Sequence, residues 1–245
     1  MLLVPIPWAG RVWALPFFTV LAPSERTAQR QGRRFKPLTT WARQMLLQVQ
    51  RWQPERALVV VGDRTYAALE LLNAVRSRVT VVTRLRLDAE DARLFAPPPP
   101  RLAHQQGRPR LVGERLPNLS CPVEDPQAVW TPLVVSHWYG AQDRQVELLT
   151  HTAICSSTGL PPVPIRWVLI RAPRGMGMFR TQALLCTDLD VEPLRILAWF
   201  VRRWQLEVTF HEVRTHLGVE TQRETGGTCD RSCEPLQPCW ASSRW

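Results

Sequence analysis

Short apolar runs separated by turn residues open the chain and predict strands before the first helix. Residues 2–7 and 13–21 are rich in Val, Leu and Phe, which predicts two paired strands. Residues 41–52 carry apolar side chains at three- and four-residue intervals, and this spacing predicts a helix capped by Thr39 or Thr40. The opening of the chain therefore combines a strand pair with an amphipathic helix.

The next segment places a strand, a helix and a strand at lengths typical of a parallel sheet. Residues 57–63 read Ala-Leu-Val-Val-Val-Gly-Asp, and this β-branched run predicts a central strand that is buried on both faces. A predicted helix over residues 66–75 and a second strand over residues 79–85 follow it. This order indicates a parallel βαβ unit, so the predicted fold class is α/β.

The composition changes at residue 95. Residues 95–119 are rich in proline, glycine and arginine and predict an exposed basic linker, because such a segment buries too little apolar area to fold alone. Four later apolar runs predict strands at residues 134–138, 145–154, 165–171 and 181–187. We expect these strands to form a small antiparallel insertion rather than a continuation of the α/β core.

A long helix is the last periodic element. Asp190 is its predicted N-cap, Pro193 lies in its first turn, and it ends before Gly218, which implies about 25 helical residues. After residue 223 the sequence loses its periodicity and mixes Cys, Ser and Pro. We expect this tail to be disordered and interpret it as the product of a reading-frame change.

Net charge narrows the class of partner. The chain holds 31 Lys and Arg against 21 Asp and Glu, a formal net charge of +10, and nearly all of its cations are arginine. Arginine forks onto phosphate oxygens better than lysine does, which favours nucleic acid over membrane as the anionic partner. A merely basic soluble protein is the alternative, and charge alone does not separate the two.

Export and membrane insertion are not predicted. Proline and arginine interrupt the apolar opening, which also lacks a basic start, so it predicts neither a signal peptide nor a membrane span. Six scattered cysteines without an export signal predict reduced thiols in a cytoplasmic protein. Cys229, Cys233 and Cys239 cluster near the end, but they lack the paired spacing and the fourth ligand of a zinc site.

Asp63 is the first candidate for chemistry. A carboxylate at the carboxyl end of a central strand is held rigidly and is open to solvent at the functional edge of the sheet. Aspartate is also a preferred N-cap for a following helix. Taken alone, the capping role is the better interpretation.

The long helix supplies a second carboxylate. At about 100° per residue, its apolar stripe consists of Leu197, Val201, Trp204 and Val208. A neighbouring stripe consists of Phe200, Arg203, Glu207 and Arg214. This second stripe is either a salt-bridged surface row or a carboxylate aimed at Asp63, with arginines placed to hold phosphates.

The two segments together resemble a known family. The spacing Phe200-x2-Arg203-x3-Glu207-x6-Arg214 resembles the signature of a group of DDE-type (Asp, Asp, Glu) insertion-sequence transposases. That signature reads Tyr, two residues, Arg, three residues, Glu, six residues, then Lys or Arg, so Phe200 keeps the ring and lacks the hydroxyl. VVVGDRTYAALELL resembles the family's second-aspartate motif, and LAWFVRRWQLEVTFHEVRTHLGVETQR resembles its closing motif. The resemblance covers residues 2–223.

The resemblance implies a ribonuclease H-like mixed sheet with flanking helices and a β-rich insertion. Residues 1–95 would form the first part of the core without its first strand, and residues 96–188 the basic linker and the insertion. Residues 189–223 would contain the catalytic helix. Residues 224–245 would be a tail foreign to the family.

The resemblance also implies the chemistry. Asp63 would be the second metal ligand and Glu207 the third, in a site for two Mg²⁺ or Mn²⁺ ions bound by carboxylate oxygens. Arg203 and Arg214 would neutralise phosphate charge, with Arg203 the closer contact, and Phe200 is the aromatic residue of the motif. The implied partners are insertion-sequence terminal inverted repeats and target DNA, with a homodimer on DNA as a further implication.

The family's first catalytic aspartate has no counterpart in the sequence. Residues 1–62 contain no aspartate, and Glu25 and Glu55 lie in loop-like surroundings. We therefore expect an N-terminally truncated core that is inactive alone in DNA strand cleavage and strand transfer. A non-catalytic DNA-binding or interfering fragment and a remnant without function are the alternatives.

Two further motifs are weaker than the family pattern. The pair His211 and His216 does not fit a zinc metalloprotease helix, because the two histidines are five residues apart rather than four and diverge by about 140° around a helix. Residues 107–110, Gly-Arg-Pro-Arg, are similar to the core of basic arms that enter the minor groove of A·T-rich DNA. An ordinary solvated linker is the preferred interpretation of this segment.

Overall fold

The computed structural model describes residues 1–88, 93–100, 107–139, 141–173 and 179–217. The strands are β1 (Leu2–Ile6), β2 (Arg11–Leu15), β3 (Leu58–Val61), β4 (Val79–Leu85), β5 (Arg93–Phe95), β6 (Thr131–Trp138), β7 (Ala141–Ser156), β8 (Val163–Arg171) and β9 (Gln182–Cys186). The α-helices are α1 (Glu25–Arg30), α2 (Leu38–Trp52), α3 (Leu69–Val75), α4 (Cys121–Glu124), α5 (Pro193–Arg202) and α6 (Trp204–Leu217). The predicted disordered tail and its three cysteines lie outside the described residues.

Two sheets of unequal size organise these strands. Strands β1 and β2 form an antiparallel hairpin, as the sequence predicts, and this hairpin is a separate two-stranded sheet. The larger sheet has the order β3-β4-β9-β8-β7-β5, with β6 also paired to β7. Only β3 and β4 are parallel among the described strand pairs. The fold is therefore mixed α/β with flanking helices, consistent with the predicted ribonuclease H-like class.

The predicted separation between the insertion and the core is wrong. Strands β6 to β9 are antiparallel as expected, but β9 pairs directly with β4, with Val82 opposite Cys186. The Thr187 hydroxyl oxygen accepts a hydrogen bond from the Val81 amide at 2.9 Å. The strand-rich segment thus satisfies the backbone groups of β4 that would otherwise form an unpaired edge, and one continuous sheet results.

Strand β3 lies at an edge of the sheet, although the sequence predicts a central strand. Within the described residues it pairs on one side only, with β4, and Val59 is 37% exposed. The alternate residues Leu58 and Val60 pack against the core. An apolar strand of this kind is typical of a sheet interior, so the free edge of β3 is an unusual feature of the molecule.

Two apolar cores cover opposite faces of the sheet. On one face, α3 and the apolar side of α2 pack over β4 and β8, around Leu72, Ile165 and Leu169. On the other face, α5 packs over β4, β8 and β9 through its buried side chains. Those side chains are Ile196, Leu197, Phe200 and Val201.

Three predicted helix features are corrected by the structure. Helix α2 begins after Pro37 without a side-chain cap, so neither Thr39 nor Thr40 caps it. The N-cap of α5 is Glu192 rather than Asp190, because Pro193, with its fixed φ, occupies the first turn. The predicted single long helix is divided at Arg203 into α5 and α6.

The predicted basic linker is anchored at both ends. Phe95 bridges Arg115, and the Leu116 amide donates to the Leu94 carbonyl at 2.8 Å. Leu119 is buried in the core. Isolated apolar residues after the proline run therefore fold the segment back onto the sheet.

Three cysteines fall within the described residues, and all of them are free thiols. Cys155 and Cys186 are fully buried, and this burial raises the pKa of each thiol to about 11. Such thiols are poorly reactive because the nucleophilic thiolate is scarce.

No helix of the described chain is both long and apolar enough to span a membrane.

Candidate active site

Asp63 lies where β3 ends and the chain turns toward α3. Its carboxylate caps a short 3-10 turn, with Oδ1 accepting a hydrogen bond from the Arg64 amide at 2.8 Å. Its carbonyl oxygen accepts a hydrogen bond from the buried Thr83 hydroxyl at 2.7 Å. The capping role is therefore real, and it holds an exposed carboxylate in a fixed place at the carboxyl end of the parallel strands.

The strand register shows which way Asp63 faces. Val61 lies opposite Val82, and the Gly62 amide continues the ladder by donating to the Val82 carbonyl at 2.9 Å. A side chain added at Gly62 would meet Tyr66, on the α2 and α3 face of the sheet. Because side chains alternate along extended backbone, Asp63 faces the opposite side, which α5 covers.

Arg84 is the neighbour of Asp63 on β4, and the sequence patterns did not single it out. By the same register, Arg84 lies beside Asp63 on the α5 side of the sheet. Its guanidinium carbon is 5.2 Å from the centroid of the Phe200 ring, and its buried Nε has no hydrogen-bond partner in the described structure. The sequence did contain a signal for Arg84, because it is a cation in the otherwise mostly β-branched strand β4, where side chains are normally apolar.

Phe200 connects the sheet to the helical carboxylate. It is only 2% exposed, so it belongs to the buried face of α5, although helical spacing grouped it with Arg203 and Glu207 in the stripe beside the apolar one. The Arg203 guanidinium carbon lies 5.9 Å from the centroid of the same ring. The ring thus holds two guanidinium groups near one end of the sheet by cation–π contacts.

Glu207 lies one helical turn beyond Arg203, on α6. Its Oε1 accepts a hydrogen bond from Nη2 of Arg203 at 3.2 Å, and the two side chains are 48% and 22% exposed. This ion pair is the surface salt bridge that the sequence allowed as one interpretation, and by itself it contributes only roughly 0.3–0.5 kcal/mol to stability. Arg214 lies exposed in the last turns of the same helix.

The predicted residues are therefore linked in two groups. The structure brings Phe200, Arg203 and Glu207 together and adds Arg84 to them. Asp63 is related to this set only by the strand register, which extends to Arg84, and no hydrogen bond or ion pair connects it to Glu207 in the described residues.

The hairpin packs beside the helix that carries Glu207. Strand β2 contacts α6, and the Thr209 hydroxyl donates to the carbonyl of the fully buried Ala14 at 3.1 Å. Thr209 is two residues after Glu207. The hairpin is thus held on α6 while neither of its strands pairs with the free edge of β3.

The donor chemistry of the site fits a hard divalent cation in part. Two carboxylates from different elements supply oxygen ligands of the kind that Mg²⁺ and Mn²⁺ prefer. No group of three or more His, Cys, Asp or Glu side chains in the described chain is arranged to hold a metal ion. Within the described residues, Asp63 and Glu207 are therefore candidate oxygen donors without a third such side chain grouped with them.

A cavity of about 270 Å³ lies on the other face of the sheet. Its walls include Leu94, Pro117 and Trp167, with His151 and Thr152 at one side. No carboxylate or guanidinium lines it. None of the residues predicted for the candidate site lines it.

The first part of the chain matches a known family. A family model described as DDE superfamily endonuclease matches residues 1–151, which include Asp63 but not Glu207. Among curated proteins, none matches closely enough to count as a relative. The match covers more than half of the chain, and the mixed sheet agrees with it. The chain therefore belongs to the DDE superfamily of endonucleases, enzymes that cleave DNA and generally use divalent metal ions.

Proposed function

We propose that this chain is the catalytic core of an insertion-sequence transposase, which cuts DNA at the ends of the element and joins those ends to target DNA. Asp63 and Glu207 are its metal ligands, and Mg²⁺ or Mn²⁺ is the cofactor. The observation that carries the proposal is the contact of the Phe200 ring with both Arg84 and Arg203. Arg84 follows the strand register next to Asp63, and Arg203 forms an ion pair with Glu207.

The two carboxylates have complementary supports. Asp63 is fixed by its own backbone hydrogen bonds at a strand end, and Glu207 is oriented by Arg203 on a helix. When bound, divalent ions would activate the attacking water or 3′-hydroxyl and stabilise the leaving oxygen. The protein's part is to hold its oxygen ligands at fixed positions next to bound DNA.

The arginines bind the substrate in this proposal. Arg84 and Arg203 lie against one buried ring, which restricts both side chains and leaves their guanidinium groups near the carboxylates. A guanidinium group donates two parallel hydrogen bonds to phosphate oxygens. We assign both residues to the scissile region of the DNA backbone and Arg214, further along α6, to a flanking phosphate.

The isolated chain is proposed to lack efficient cleavage. Residues 1–62 contain no aspartate, and the described residues offer no third carboxylate at the site. Among the described residues β3 pairs on one side only, and the hairpin forms a separate sheet.

The proposed domain layout keeps the boundaries predicted from the sequence, but the segments they delimit contribute strands to one continuous sheet. Residues 1–95 and 189–223 supply the catalytic edge, and residues 96–188 supply the strands that extend the sheet beyond β4.

A non-catalytic chain that occupies element ends is the second candidate function. The incomplete ligand set favours it, because DNA binding requires the arginines and not the metal ions.

Binding and cleavage assays on the same preparation test the proposal. We expect the chain to bind a labelled DNA duplex, and to nick supercoiled plasmid in Mg²⁺ or Mn²⁺ no faster than its Asp63→Asn variant does. Fluorescence anisotropy measures the first property and gel analysis of nicked circles the second. Failure to bind DNA would contradict the proposed function. Strong metal-dependent nicking that Asp63→Asn abolishes would contradict the proposed inactivity and keep the transposase assignment.

A further inference from the structure

A second cationic surface lies outside the candidate site. Residues 25–36, here called the basic segment, contain five cations and a single carboxylate, Glu25, so they hold a net charge of +4 out of the chain's +10. The cations are Arg26, Arg30, Arg33, Arg34 and Lys36, and all five are exposed. None of them forms an ion pair with a carboxylate of the described structure.

The local fold presents these cations in a defined arrangement. Ala28 is fully buried and anchors α1, while Arg26 and Arg30 are one helical turn apart and share its outer face. The helix ends at Arg30. Gly32 follows its C-cap with a φ of +61°, which allows the turn, and the Arg33 amide donates to the Ala28 carbonyl at 2.9 Å. The turn fixes the direction in which Arg33 and the residue after it leave the helix.

The segment is also tied to the start of α2. The Lys36 ammonium nitrogen lies 4.7 Å from the centroid of the Trp41 ring. Pro37 precedes the helix and provides its first carbonyl acceptor. The basic segment is therefore attached at one end by Ala28 and at the other by α2, in contrast to a free arm.

The order of the elements indicates that the basic segment lies toward the edge of the sheet that carries Asp63. Helix α2 packs on α3 and on the core beneath β3, and residues 53–57 join its end to the start of β3. The short connection keeps the end of α2 at the amino edge of the sheet. The 15 residues of α2 extend over about 22 Å, so its first turn lies toward the carboxyl edge, where β3 leads into Asp63.

We infer that the basic segment is a second DNA-binding surface, which holds the phosphate backbone of the duplex on the side of the active site away from α6. The inference rests on the proposed function, since it assigns the DNA a path across both surfaces. Exposed arginines without an ion-pair partner donate to phosphate oxygens, and a DNA backbone presents such oxygens in a regular row. Binding here would be independent of sequence.

Salt dependence of DNA affinity tests the inference quantitatively. Each phosphate neutralised by a cation contributes about 0.9 to the slope of log affinity against log salt. The triple variant Arg30→Gln, Arg33→Gln, Arg34→Gln is therefore expected to reduce the slope by roughly 2 to 3. Anisotropy titrations of a labelled duplex at several salt concentrations measure the slope, and circular dichroism verifies that the variant is folded.

A control variant with the same change of charge is available on the opposite edge. Arg56, Arg76 and Arg78 are exposed and lie before the amino ends of the parallel strands β3 and β4. Their replacement by glutamine is expected to leave the slope unchanged within error. Equal losses in the two variants would overturn the inference and leave the proposed function intact, because only net charge would then matter. Absence of DNA binding by the unaltered chain would overturn both.

Discussion

Replacing Phe200 by alanine is expected to lower the free energy of unfolding by about 3–5 kcal/mol. Phe200 is among the largest fully buried side chains and fills the space between α5 and the sheet. Its removal leaves a cavity and also removes the ring on which Arg84 and Arg203 lie. Chemical denaturation followed by tryptophan fluorescence measures the loss.

Phe210 provides the matched control for this substitution. It lies on α6 and is 47% exposed, so Phe210→Ala is expected to cost less than about 1 kcal/mol, as a surface change does. Similar losses for the two variants would contradict the view that the motif aromatic is a core residue. A Phe200→Leu variant, which keeps most of the volume, separates packing from the cation–π contacts through its DNA affinity.

Replacing Glu207 by glutamine is expected to weaken divalent-ion binding by on the order of 10-fold or more. Loss of an outer-shell partner of a metal ligand already costs about 10–100-fold, and Glu207 is proposed to be a direct ligand. Titration with Mn²⁺, followed by the paramagnetic resonance of the free ion, measures the affinity without any need for cleavage activity.

Glu212 is the control carboxylate on the same helix. It is similarly exposed and is likewise engaged with a partner one turn away, His216, at 3.3 Å. Glu212→Gln is expected to leave Mn²⁺ affinity unchanged. If the two variants lost affinity equally, Mn²⁺ would be binding to the general surface charge of α6 rather than to a site.

Local sequence patterns predicted the elements of the parallel unit well. The strand over residues 79–85 has the observed bounds of β4, because its β-branched residues suit a strand buried on both faces. The hairpin of β1 and β2 and the parallel pairing of β3 with β4 also follow from local spacing. In each case the two paired strands are close in sequence, so the local pattern was sufficient to predict their pairing.

Pairings between distant residues could not be predicted from local patterns. Val82 and Cys186 are neighbours across β4 and β9, and nothing local to either residue specifies the other. The apolar run of β3 predicted a central strand, and its position at an edge depends on which strands are available to pair with it. Both errors have the same cause. The composition of a strand indicates whether its side chains are buried, but it does not indicate which other strand pairs with it.

The candidate site was predicted in part. Helical spacing placed Arg203 and Glu207 on one face, and their ion pair has that geometry. The same spacing placed Phe200 on a stripe beside the apolar one, and the buried face of α5 is wide enough to include it together with Ile196 and Leu197. Arg84 was overlooked because its importance comes from its contact with Phe200, which lies on a distant element of the chain.

Iron-directed cleavage of the polypeptide tests most directly whether Asp63 and Glu207 share a divalent ion. With added hydrogen peroxide, Fe²⁺ bound in place of Mg²⁺ is oxidised to Fe³⁺ and splits the peroxide into hydroxide and a hydroxyl radical, which cuts the backbone next to the ion's ligands. Mass spectrometry locates the cuts. Cuts near residues 63 and 207 are expected, both suppressed by excess Mg²⁺ and both lost in Asp63→Asn and in Glu207→Gln. Cuts near one residue only, or loss in each variant of its own cut alone, would show that the two carboxylates do not hold a common ion.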